Sequence, residues 1–133
     1  MKAWGLLTAA IIVGGSALVT VSAQGSQPYS GSGDYQVYCS SCHGAEARGD
    51  GMIAKSLKKR PADLTQLSKR NNGVYPDDKV FKTIDGRKGG AHSDSDMPAW
   101  GDVFAKAIES ASPENTALRI DTLVKYIETL QAR

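Results

Sequence analysis

Two cysteines and one histidine carry the chemistry of this chain. They stand together as Cys39-Ser40-Ser41-Cys42-His43, and no other cysteine occurs among the 133 residues. C-x-x-C-H is the spacing at which a polypeptide attaches haem covalently. The reason is geometric. Two thiols three positions apart fall on a common side of one helical turn, where both sulfurs reach the vinyl groups of one flat porphyrin. The adjacent His43 turns inward to ligate iron through the ring nitrogen far from its backbone. Its other ring nitrogen is expected to donate to a backbone carbonyl, which fixes the ring and raises its basicity as a ligand. Three other chemistries use the same residues. A thiol–disulfide redox pair needs a βαβ setting. Zinc on Cys39, Cys42, His43 and His92 would require adjacent Cys42 and His43 to chelate together, and the familiar zinc spacings are absent. A plain structural disulfide is the third. The complete motif favours haem over all three.

Electron transfer calls for a second axial ligand, because a six-coordinate iron changes little on oxidation. The candidates are Met52, Met97 and His92. Met52 follows His43 by nine positions, too few to cross easily to the opposite haem face. Met97 lies 54 positions beyond His43, in Ser95-Asp96-Met97-Pro98-Ala99-Trp100. Pro98 restricts Met97 to an extended backbone, and Trp100 is placed to pack on the haem. A methionine in so polar a loop makes a poor core gap-filler. Met97 is therefore preferred over His92, and a thioether ligand implies a higher reduction potential than bis-histidine ligation.

The elements that must position these residues read as short helices. Asp34–Cys39 is expected to be helical with Ser32 as N-cap. Met52–Lys59 reads as a short amphipathic helix ended by Pro61, and Leu64 and Leu67 mark a further turn. Pro76–Asp85 is a helix stopped by Gly86. The clearest element is C-terminal. Ser112 caps it, Pro113 opens it, and Ile120, Leu123, Val124, Ile127 and Leu130 share one face. Asp121 and Lys125 form a surface pair along it. No strand-like alternation and no internal repeat is present, so the class is all-α.

Charge and the leader bound the setting. With 16 Lys+Arg against 14 Asp+Glu, the net charge of +2 argues against a nucleic-acid binder. Residues 1–23 read as a secretory signal peptide: Lys2, an apolar middle around Ile11, Ile12 and Val13, and Val21-Ser22-Ala23 before the cut. Removing those 23 from the 133 residues leaves a domain of 110. Retained, the leader would be a membrane anchor. Residues 24–33 read as a flexible linker and 34–133 as the domain. Export places the chain in a periplasm, where c-type haem is attached.

Residues 31–133 resemble a class I cytochrome c of bacterial type. Gly31 and Tyr35 resemble the family's glycine and aromatic residue on the N-terminal helix, and Leu123, Tyr126 and Ile127 the positions of the C-terminal helix that receive it. Cys39, Cys42 and His43 match the haem motif, Met97 within Met-Pro-x-Trp resembles the distal ligand, and Pro61 the proline whose carbonyl accepts from the ligand histidine. The resemblance implies short helices and loops wrapped around one covalent haem c, with the terminal helices crossing. It implies a monomeric electron carrier rather than an enzyme, working between redox partner proteins. A dedicated haem subunit of an exported dehydrogenase or oxidase is the alternative. The basic run Lys55, Lys58, Lys59 and Arg60 reads equally as a docking patch and as a solvated face.

Overall fold

The computed structural model describes residues 29–88, 96–107 and 112–132. The leader 1–23, the first part of the linker, His92 and Asp94 lie outside the described residues. Those described form helices, 3-10 turns and loops, and no strand among them, so the all-α expectation holds. No described helix is long and apolar enough to cross a membrane.

Helix α1 spans residues 31–43 in three stretches: α-helical Gly31–Asp34, a π-helical turn Tyr35–Cys39, and α-helical Ser40–His43. It begins inside the segment read as linker, and its cap is Ser30 rather than Ser32. Ser30 has the extended backbone an N-cap requires (φ −108, ψ 110), and its Oγ accepts the Gly33 N–H at 3.1 Å. Ser32 is already helical. The expected Met52–Lys59 helix is replaced by one 3-10 turn, Ala54–Ser56. The amides of Gly51 and Ile53 are drawn back to α1, and Leu57 is extended (φ −83, ψ 146). Further 3-10 turns occupy Leu64–Gln66 and Lys69–Asn71.

Helix α2 spans Asp77–Asp85, with Asp77 and Asp78 in the first turn and left-handed Gly86 (φ 65) closing it. Helix α3, Trp100–Ala107, was not expected. Its signal is Trp100, Val103 and Phe104 at helical spacing just after Pro98. Helix α4 spans Pro113–Thr129, and Ser112 Oγ accepts the Asn115 N–H at 3.2 Å as its cap. The expected apolar face is buried at Ile120, Leu123, Val124 and Ile127, and Lys125 Nζ meets Asp121 at 2.9 Å on the outside.

Helix α4 is the centre of the molecule: α1, α2 and α3 all pack against it. The α1–α4 crossing is close because Gly31 has no side chain; a Cβ there would run into the Thr122 carbonyl and lie 2.9 Å from Tyr126 Cβ. One turn on, the Tyr35 and Tyr126 rings meet at 5.4 Å between centroids. Tyr35, Phe104, Ile120 and Leu123 are fully buried, each contributing roughly 1.5–3 kcal/mol by leaving water. Gln131 stitches the chain end to the 64–68 turn, donating to the Leu64 carbonyl at 2.7 Å and accepting the Ser68 N–H at 2.9 Å.

A nearly buried ion pair locks the same crossing. Arg119 of α4 donates through Nε and Nη2 to both carboxylate oxygens of Asp34 on α1, at 2.7 and 2.6 Å. Its guanidinium also lies over Phe104 (4.3 Å), Tyr38 (5.2 Å) and Tyr29 (5.5 Å). The Asp34 hydrogen bonds raise the Arg119 pKa further, so it is cationic at every working pH. Asp34→Asn keeps the shape and one acceptor but removes the countercharge. It is expected to cost about 2 kcal/mol, as for a hydrogen bond between charged groups, read as a lowered urea midpoint with an unchanged slope.

Candidate functional site

The site is built at the C-terminal end of α1, where a helix leaves its last four carbonyls without partners. Here the loop 44–53 supplies all four. Gly44 N–H reaches the Ser40 carbonyl (2.8 Å), Ile53 that of Ser41 (3.1 Å), Gly51 that of Cys42 (3.1 Å) and Gly49 that of His43 (2.8 Å). Gly44, at a positive φ open to glycine (φ 86, ψ 157), turns the chain off the helix. Gly51 lies so close that a Cβ would meet the Ser41 and Cys42 carbonyls. The Tyr35 hydroxyl donates to the Gly44 carbonyl at 2.7 Å, giving its phenol the buried partner it needs. Burial raises the Tyr35 pKa, with Cys39 adding to the effect, so the phenol keeps the proton it donates.

This bracing seats His43, which is buried. Its Nδ1 lies 3.0 Å from the Ala62 carbonyl oxygen. A carbonyl can only accept, so Nδ1 carries the proton, and in the neutral ring Nε2 is the nitrogen with a lone pair for a metal. A backbone carbonyl was expected there, but Pro61 was expected to provide it. The acceptor is Ala62, one residue on. The Pro61 carbonyl packs instead against Gly49, where a Cβ would collide with it. The register is set by the Leu64 N–H, which bonds the Ala47 carbonyl at 2.8 Å and aligns 62–64 along the loop.

Cys39 and Cys42 are half-buried, unbridged thiols on the same helix end. Burial pushes the Cys39 thiol up to about 12, with the Asp34 carboxylate and the Cys42 thiol adding to the effect. Cys39 is therefore a protonated thiol at neutral pH. A thiol–disulfide catalyst needs the opposite shift, and no strand among the described residues offers the βαβ setting. No three or more His, Cys, Asp or Glu side chains gather at a metal-binding distance among the described residues. The zinc reading is thus left leaning on His92, outside them.

Met97 is half-buried and packs against the core, whereas Met52 is 92% exposed. Trp100 opens α3 with its ring 5.4 Å from Tyr38 and 5.6 Å from Phe104. The Tyr38–Phe104–Arg119 cluster behind it was not expected. Its one sequence signal is an arginine within the apolar stripe of α4, between Thr116 and Ile120–Leu123, where a charge must find a partner. Compared with family models, with curated proteins and with solved structures, the chain matches none.

Proposed function

We propose that this chain is a single-haem c-type cytochrome of class I, transferring electrons outside the cytoplasm in a periplasm. The observation that carries the reading is the hydrogen bond from His43 Nδ1 to the Ala62 carbonyl, within an intact C-x-x-C-H pentapeptide. It is the bond a metal-ligating histidine makes behind its metal. The other residues fit the group. Cys39 and Cys42 are unbridged and would form the two thioethers, while His43 through Nε2 and Met97 through its sulfur would hold the iron. Tyr38, Leu64, Leu67, Tyr75, Phe81, Met97 and Trp100 are apolar yet only partly buried, as suits side chains that would share one further apolar body.

A bound haem c would supply reversible one-electron chemistry at its iron. The chain's own part is to hold and orient. The four capped carbonyls of α1 fix the histidine, its protonated Nδ1 makes Nε2 the better donor, and Met97 contributes a neutral sulfur.

The test is a visible spectrum of protein produced with c-type haem maturation machinery. Haem should remain on the chain after denaturation. The ferric form should show a far-red charge-transfer band that Met97→Ala abolishes while covalent haem is retained. Haem that washes away on denaturation rejects the reading. A band that survives Met97→Ala moves the distal ligand elsewhere.

A further inference from the structure

We infer that Met97 is held by a two-point clamp that sets how readily its thioether leaves the iron. The inference rests on the His43/Met97 reading above. The first point lies one residue before the ligand. Asp96 Oδ2 accepts the backbone N–H of Lys58 at 2.7 Å, tying the Met97 segment to chain 38 positions earlier. The second point lies four residues after it. Gly101 is buried in the first turn of α3 against Asp85 and Arg87. A Cβ there would run into the Asp85 carboxylate and lie 2.5 Å from Arg87 Nε and 2.8 Å from the Asp85 carbonyl oxygen.

Those partners form a fixed seat. Asp85 is the last residue of α2 and is only 8% exposed. Arg87 comes back around left-handed Gly86 to donate from Nε to the Asp85 carboxylate at 2.7 Å. The first turn of α3 therefore rests on an ion pair folded over the end of α2. Between the two points run only Met97, Pro98, Ala99 and Trp100. Pro98 locks its own φ and disfavours the helical conformation at Met97, and Trp100 is wedged against Tyr38 and Phe104. Few rotations remain by which the methionine could swing away.

This matters because a neutral thioether gains no charge attraction from iron. How firmly it stays depends on how far the chain is organised in advance to present it. Asp96, Asp85, Arg87 and Gly101 are positioning residues in this sense, acting on the ligand through the backbone.

The experiment compares the haem-loaded wild type with Asp96→Ala, Asp96→Asn and Gly101→Ala. Three quantities are followed: the far-red band, the rate at which added imidazole binds the ferric protein, and hydrogen exchange at the Asp102 and Val103 amides, which bond the Ala99 carbonyl at 3.1 and 3.4 Å. Asp96→Ala and Gly101→Ala should keep covalent haem, bind imidazole faster and exchange those amides sooner, with the gain for Asp96→Ala roughly tenfold, as losing a bond to a charged acceptor implies. Asp96→Asn retains an acceptor oxygen and should stay near the wild type. Asp96 is exposed, so its alanine variant keeps the test meaningful even if Gly101→Ala fails to fold. Wild-type imidazole binding and exchange in Asp96→Ala overturn the clamp while leaving the ligand reading intact. A wild type with neither covalent haem nor the far-red band overturns both.

Discussion

Replacing Cys39 and Cys42 together by alanine should give a chain that carries no covalent haem and does not fold cooperatively. The argument is one of area. The buried core is small: Tyr35, Phe104, Ile120, Leu123, Val124 and Ile127 around the α1–α4 crossing, with Val80 and Ile84 of α2 and Ala47 of the loop. A second set, among them Leu64, Leu67, Tyr75, Phe81, Met97 and Trp100, packs on that core but remains partly open. A domain of this size is stable by about 5–15 kcal/mol in total. On the haem reading, losing the largest apolar partner of several half-buried aromatic and leucine side chains would remove most of that margin. Binding free energy of such a group is at the same time folding free energy. Far-ultraviolet circular dichroism should show a marked loss of helix, with a broad, shallow thermal transition in place of a sharp one. A double variant as helical and as cooperative as the haem-loaded protein would refute the view that the fold depends on the group.

The second large effect needs no cofactor. Gly31→Val should lower stability by about 3 kcal/mol, the upper range for forcing a side chain into a packed contact. The Cβ would collide with the Thr122 carbonyl, which is main chain inside α4 and cannot step aside, and would crowd Tyr126 Cβ at 2.9 Å. Separating the helices to relieve this would also stretch the Asp34–Arg119 pair and open the Tyr35–Tyr126 contact. Gly33→Ala, two residues along the same helix, is the control. Its Cβ would meet only the exposed Ser30 side chain at 3.3 Å, and alanine is the better helix former by roughly 0.5–1 kcal/mol. The midpoint of thermal unfolding should fall by more than about 10 °C for Gly31→Val and hold or rise for Gly33→Ala. Equal behaviour of the two variants would mean that the crossing is not where the sequence puts it.

What could be read from the sequence was local. The pentapeptide, the cap and apolar face of α4, the Asp121–Lys125 pair and the stop at Gly86 all depend on residues within one or two turns of each other. Gly31 was pointed to only by the family resemblance; read by itself it fell in the linker, ahead of a helix expected to begin at Asp34. Long-range partners were not. Asp34 has a satisfactory local explanation as an acidic residue near a helix start, and nothing nearby announces that its partner is Arg119, 85 positions on. Ala62 could not be chosen over Pro61 as the histidine's acceptor, because a backbone carbonyl leaves no mark on the sequence and its register is decided by the Leu64–Ala47 bond. The 52–59 segment also misled. Ile53 and Leu57 have helical spacing, but spacing alone does not extend a turn: only Ala54–Ser56 coils, and Leu57 is already extended (φ −83, ψ 146).

The loop that closes over α1 also bears on the order in which the molecule assembles. Its bonds join residues no more than about a dozen positions apart, and the Ala62 contact spans 19. The α1–α4 crossing spans 85. Closing a loop becomes entropically dearer with its length, and short-range contacts form sooner. The histidine's seat can thus be complete while helix α4 is still unpaired. The short-range bonds of the loop thus precede the α1–α4 crossing in the order of closure. The contacts that hold His43 lie within the first third of the domain, and the remainder closes the structure afterwards.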